Sequence, residues 1–261
     1  MTLVKHELRQ GKAAFLIWTE SIGFLVVICV FLFPEMKGQM DSVNDMFASM
    51  GSFTRAFGMD RLNFGTLTGF YAVECGNILG LGGAFYASLC AAGVLSKEEK
   101  DKTAEFLLMH PVSRKRVISE KLIAVFIQIT AMNIMIYVLS IGSIAAVGET
   151  IPWKEISLIH LAYYLLQMEL AGICFGISAF LRKGSVGAGL GIAAMMYFLN
   201  LIANIADVAE FLKYITPFGY CEGADIMSNG SLDGVMVFVG TVIGIGGIAI
   251  AYFYYTKKDI H

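Results

Sequence analysis

Charged side chains are what this chain has least of: 15% of 261 residues, where a soluble domain carries about 25%. That shortage excludes a soluble enzyme and a disordered tail. A net charge of −2 leaves no basic field to draw polyanions, so nucleic acid is excluded as a partner. Histidine is rare too: His6, His110, His160 and His261 are scattered without the spacing of a metal site. Of the five cysteines, Cys29, Cys75, Cys90 and Cys174 lie inside apolar runs and only Cys221 in a polar connection. That is neither a disulfide framework nor a zinc pattern, and small apolar packing residues are the simpler reading. The chain has no G-x-x-x-x-G-K-[ST] to cradle ATP phosphates and no H-E-x-x-H. What is present is 57% hydrophobic residues, with 19 Phe, 28 Gly and 14 Met against four Pro. Long membrane helices have this composition, because Gly is well tolerated in them.

The fold class expected is all-α and polytopic. Six apolar segments, 13–33, 70–95, 122–147, 158–181, 186–205 and 235–255, reach the roughly 20 residues a bilayer needs. The first is too long for a signal-peptide core and no cleavage pattern follows it, so it reads as a retained span. With the N-terminus in the cytoplasm, the inner connections hold fourteen of the 19 Lys and Arg and the outer ones five. The positive-inside rule therefore puts both termini in the cytoplasm. The outer segments are 34–69 and 206–234. In the first, Asp41 or Ser42 can cap a short helix with Met46, Met50, Phe53 and Phe57 as its apolar stripe. The second carries five acids and is interrupted by Pro217-Phe218. The short turns at 148–157 and 182–185 make their flanking spans antiparallel neighbours. The two halves of the chain do not align, which counts against an inverted-repeat transporter. Gly76/Gly80/Gly83, Gly187/Gly189/Gly191 and Gly240/Gly244 permit close helix approach, within the chain or at a dimer seam.

The inner segment 96–121 is the most specific part of the sequence. Ser96 with Glu99 makes a capping box, and Glu98 with Lys102 an i, i+4 pair. Pro111 ends that helix by His110, and Ser113 can cap a second one running into the third span. The first helix is charged in its first half and offers Phe106, Leu107, Leu108 and Met109 in its second. An apolar knob on a held helix suits a groove on a soluble partner. A helix resting on the inner leaflet, with Arg114, Lys115 and Arg116 on lipid phosphates, is the other reading.

Residues Glu98, Glu99, Lys102, Thr103, Glu105, Leu107, Leu108, Pro111, Val112, Ser113, Arg114 and Lys121 stand in an order that resembles ABC-2 type permeases, the membrane subunits of bacterial ABC exporters. The pattern in that family is acidic residues, a Gly-Thr or Lys-Thr pair, Glu, Leu-Leu, Pro-Val-Ser-Arg and Lys. The chain departs from it at Asp101-Lys102, where many members carry Gly. Gly69-Phe70 with Glu74, and Leu212 with Thr216-Pro217-Phe218 and Tyr220, extend the likeness over nearly the whole chain. The resemblance implies a single permease domain, residues 1–261, in the bacterial cytoplasmic membrane. It implies that Glu98, Glu99, Lys102, Thr103, Glu105, Phe106, Leu107, Leu108, Pro111 and Arg114 belong to a coupling helix docking on a separate ATPase. Residues 1–12 would form an interfacial helix beside it. Two ATPases, binding ATP and Mg, and a second permease, identical or related, would complete the exporter.

Three acids, Glu20, Glu74 and Glu169, fall inside spans. A carboxylate near mid-bilayer costs about 2.5–3.5 kcal/mol on insertion scales, so it needs a polar neighbour or water. Glu169 is the deepest, with Gln167 beside it; Glu74 lies nearer a span end. They are candidates for a translocation path, or for hydrogen-bonded acids at helix contacts. An ion-coupled secondary transporter built on Glu169 and Glu74 is the alternative function, and a membrane enzyme a third class for which no convergent side-chain set is visible.

Overall fold

The computed structural model describes residues 2–38, 46, 50–97, 113–181 and 186–257. Six long helices make up the bundle: α1 (Thr2–Lys37), α2 (Leu67–Ala92), α3 (Arg114–Ala146), α4 (Trp153–Ser178), α5 (Val186–Ile205) and α6 (Gly234–Lys257). All six are long and apolar enough to cross a membrane, and the chain is an all-α, multi-pass membrane protein. Residues 98–112, where the sequence predicts a helix ending by His110, the capping-box partner Glu99 and the Asp41/Ser42 cap lie outside the described residues.

α1 differs from its expected form. It is one continuous helix of 36 residues rather than an interfacial helix followed by a span. At 1.5 Å per residue it is about 54 Å long, against a hydrocarbon core of about 30 Å. α3, at 33 residues, is comparably long, and the two pack along each other and project together from the same end. Val4 and Glu7 of the α1 extension are buried against it. The polar first turns hold α1 upright because its N-terminus and Glu7 find their partners on α3, as described below.

α2 carries two π-helical turns, Tyr71–Cys75 and Ile78–Gly82, between α-helical ends. Each widens the helix locally and shifts the side-chain register, a device frequent at functional positions. Thr66 caps this helix, its hydroxyl accepting from Gly69 N at 3.2 Å. Ser113 caps α3 as the sequence predicts, accepting from Arg116 N at 3.3 Å.

α4 is the hub, packed on α2, α3 and α6. Its contact with α6 is made of glycine. A Cβ on Gly172 would lie 2.5 Å from Gly244 O, and one on Gly176 2.6 Å from Gly247 O. Backbone meets backbone, the small-residue packing available to membrane helices. The Gly240/Gly244 pair thus serves intrachain packing. The core between α1, α2, α3 and α4 is filled by Val26, Val30, Phe33, Tyr71, Met132 and Leu166. α5 and α6 bury the smallest share of their apolar windows inside the chain.

The segment 206–234 is not wholly an outer loop. It runs through the 3₁₀ turns Asp207–Tyr214 and Gly219–Cys221 and the short helix Gly223–Asn229. Between them it dips back into the bundle. Thr216 Oγ1 donates to Met196 O at 2.8 Å, nine residues inside the end of α5. Phe218, Tyr220 and Cys221 are buried. Non-helical backbone at membrane depth is tolerated where protein surrounds it, and the apolar Pro217-Phe218 stretch supplies that burial.

Candidate functional site

The candidate site is the polar cluster on either side of residues 98–112, where the chain leaves α2 and enters α3. Leading out of α2, Leu95 N donates to Ser178 Oγ at 2.9 Å, and Ser96, in a turn, donates to Gly93 O at 3.4 Å. Lys97 then forms an ion pair with Glu7 of α1 and donates to Gln10 Oε1 at 2.7 Å. Leading into α3, Arg116 pairs with Glu120 at 2.9 Å. The other oxygen of Glu120 accepts from Leu3 N at 3.1 Å and Val4 N at 3.4 Å. Those amides lie in the first turn of α1, so α3 caps α1 in trans with a carboxylate, where the helix dipole favours negative charge. Lys121, fully buried, stands 3.3 Å from Glu7 and donates to Val94 O at 2.5 Å. Arg114 reaches the last turn of α6, donating to Thr256 O at 3.4 Å.

The residues immediately before and after 98–112 therefore both grip the first two turns of α1. Glu7 is the shared centre, with Lys97 on one side and Lys121 on the other. A buried carboxylate demands such company. Beside this latch lies a cavity of about 520 Å³, lined among others by Glu7, Gln10, Trp18, Tyr86, Lys97 and Gln128. Close-packed interiors transmit displacement rigidly, whereas an open flank leaves a helix room to shift. α1 is thus held firmly at its end and loosely along one side.

Of the sequence-predicted coupling residues, Arg114 is placed in this cluster. Glu98, Glu99, Lys102, Thr103, Glu105, Phe106, Leu107, Leu108 and Pro111 lie outside the described residues. The three candidate translocation-path residues, Glu169, Gln167 and Glu74, lie elsewhere, and none of them lines the cavity. Glu169 accepts from Tyr220 Oη of the re-entrant segment at 3.0 Å and faces Gly240 of α6. Gln167 is fully buried; its Oε1 accepts from Asn133 of α3 at 2.7 Å and its Nε2 donates to Leu79 O of α2 at 3.5 Å. Both sit at helix contacts. Glu74 sits on the first π-helical turn of α2. Among the described residues no group of three or more His, Cys, Asp or Glu is placed to hold a metal.

Sequence reasoning did not single out Glu7, Lys97 and Glu120 as site residues, and Lys121 entered it only as the last residue of the family motif. A signal existed: Glu7 is the one acid among Lys5, Arg9 and Lys12, and Glu120-Lys121 stand directly before the third apolar run. A further polar cluster joins the two ends of the re-entrant segment. Asn204 donates to Glu222 at 2.9 Å, and Arg61 pairs with Asp225 at 2.6 Å. Burial holds Glu222 above the ordinary carboxylate range, against the opposing hydrogen bond from Asn204 and the charge of Arg61.

A family model described as "ABC-2 family transporter protein" matches residues 1–260. Neither the curated proteins nor the solved structures compared with the chain contain a match.

Proposed function

Because this chain belongs to the ABC-2 family of transporter proteins and is a permease component of an ABC transporter, we propose that it works as an exporter subunit driven through residues 98–112. In this reading those residues form a coupling helix, with Leu107 and Leu108 entering a groove on a separate ATPase. Glu98, Glu99, Lys102, Thr103 and Glu105 orient it, and Pro111 ends it. Two ATPases, which bind ATP and Mg, act on two permeases, identical or related. The membrane is the bacterial plasma membrane, and the N-terminus, the latch and the coupling segment face the cytoplasm. The excess of Lys and Arg on that side supports this orientation.

The observation that carries the reading is the double grip on α1. A docking segment that moves when ATPases close pulls on its own two roots. Here the roots are Lys97 and Arg116–Lys121, and both are tied to α1 through Glu7 and Glu120. Movement of the segment is then converted into movement of a span. α4, sealed to α6 by glycines, is the fixed frame against which α1 shifts. Glu169 and Gln167 belong to that frame.

The test is co-purification in mild detergent with the ATPase encoded nearby, followed by ATP turnover. Wild type is compared with the double variant Leu107→Asp, Leu108→Asp. The expected result is retention of the ATPase by wild type and its release by the variant, with the permease still folded. An ATPase that stays bound to the double variant counts against docking through this segment.

A further inference from the structure

α1 and α2 meet closely in the half of the bundle away from the latch. There the Phe33 and Phe70 rings lie 5.4 Å apart, Cys75 Sγ is 4.0 Å from Val26 O, and a Cβ on Gly82 would stand 3.0 Å from Ile22. Past Gly82, toward the latch, the two helices part. Ala124 and Val125 of α3 close the back of the gap, which is the cavity beside the latch. This groove runs along α1 from Glu7 to Trp18. Eleven residues at 1.5 Å each make about 16 Å, against about 15 Å for one leaflet's half of the hydrocarbon core. The volume of about 520 Å³ lies within the roughly 300–1,000 Å³ usual for small-molecule sites.

Polarity is graded along that length. Gln10 and Lys97 stand at the latch end, Gln10 exposed and the Lys97 side chain 27% exposed. Exposed Ala14 and half-buried Trp18 and Leu89 line the rest. These three belong to membrane-spanning helices, so the groove is open to hydrocarbon there. The deeper polar groups serve one another. Tyr86 Oη donates to Gln128 Oε1 at 3.3 Å, and Gln128 Nε2 donates to Ala124 O at 3.4 Å. Beyond Gln10 the groove offers a ligand apolar surface.

Charge is confined to the latch end and is unbalanced. Among the described residues two ammonium groups, Lys97 and Lys121, share one carboxylate, Glu7. Lys121 is fully buried and turned to Val94 O, whereas Lys97 lines the groove. The Lys97 ammonium has three donors, and Glu7 and Gln10 take two of them. An apolar slot of leaflet depth with a surplus cation at its head end matches a lipid with a negative headgroup. We propose that this groove holds one anionic lipid of the leaflet on the latch side. A phosphate oxygen accepts from Lys97, and one acyl chain lies along Ala14 and Leu89 as far as Trp18. A lipid seated there fills the open flank of α1, so α1 shifts toward α2 only when the lipid leaves. That consequence rests on the coupling reading; the site itself does not.

Trp18 serves as the reporter. The chain has two Trp, and Trp153→Phe, at an exposed position, leaves Trp18 alone. The full chain with that substitution is placed in phosphatidylcholine vesicles. Phosphatidylglycerol or phosphatidylcholine, each dibrominated in its acyl chain to quench indole fluorescence on contact, replaces a minor share of the lipid. The expected result is equal quenching of Trp18 at a share of brominated phosphatidylglycerol about tenfold below that of brominated phosphatidylcholine, the worth of one charge-assisted hydrogen bond. Lys97→Gln removes this preference and Lys97→Arg keeps it. Lys12→Gln takes the same charge from an exposed position five residues from Glu7, on the far side of α1, and keeps the preference. Ala14→Phe, at an exposed position clear of the latch, fills the groove and abolishes the preference in a folded protein. Equal quenching by the two lipids at equal share, a preference that survives Lys97→Gln or Ala14→Phe, or one lost equally with Lys12→Gln overturns the proposal. No ATPase enters the measurement, so its failure leaves docking through residues 98–112 untouched.

Discussion

Glu7 is the residue on which the account leans most. It is 6% exposed and faces Lys97, 27% exposed, and Lys121, fully buried. Those exposures set the size of each effect. Glu7→Ala takes the carboxylate away from a buried ammonium, and breaking a buried pair costs about 3–5 kcal/mol. Lys97→Met breaks a half-exposed contact and costs about 0–1 kcal/mol. Thermal unfolding in detergent is expected to rank the two in that order, with Glu7→Ala far the lower in Tm. Glu222 gives a pH signature at the other end of the molecule. Its folded pKa is raised by burial, so its stabilising contribution is full below the ordinary carboxylate pKa and is lost as pH rises through the folded value. Thermal stability is thus expected to be higher at mildly acidic pH, and Glu222→Gln to flatten that dependence. A slope unchanged in the variant places the titrating group elsewhere. Neither role was legible in the sequence, because each depends on a partner more than 80 residues away, as with Glu7 and Lys97, or on burial of a loop that reads as polar.

At the scale of elements, the apolar runs announced all six helices, and the Ser113 cap stands where its motif put it. Three features were not legible. The π-helical turns of α2 leave no mark in composition. The continuity of α1 past residue 12 is decided by pairing with α3. The re-entrant dip at 216–221 is an apolar stretch too short to read as a span. The glycine seam was visible as a motif but not as a contact, since Gly-x-x-x-Gly alone does not name its partner helix. Its prediction is specific. Gly172→Ala and Gly247→Ala each force a Cβ into facing backbone and are expected to destabilise by about 1–3 kcal/mol. Gly246→Ala, whose Cβ meets nothing within 4 Å, is expected to be neutral or to stabilise slightly. Unfolding midpoints of the three variants check this. Equal effects would mean that α4 and α6 do not meet backbone to backbone.

For the molecule as a whole, one asymmetry organises function. One end gathers Lys and Arg and carries the latch, with its charges tied into α1. The other end carries the re-entrant segment and the Arg61–Glu222–Asp225 cluster. The family was legible from one motif, at 98–121, whose charged and capping residues stand apart from the apolar spans. The ties between the flanks of that motif and α1 were not, because they are ion pairs between helices distant in sequence. The measurement that tests the central claim most directly is the distance between spin labels at exposed Lys5 of α1 and exposed Phe180 beyond α4. It is taken with the ATPase bound, with and without a nonhydrolysable ATP analogue. The account predicts a nucleotide-dependent change in wild type that disappears in the double variant Glu7→Gln, Glu120→Gln while the ATPase remains bound. The same change persisting in that variant would contradict it.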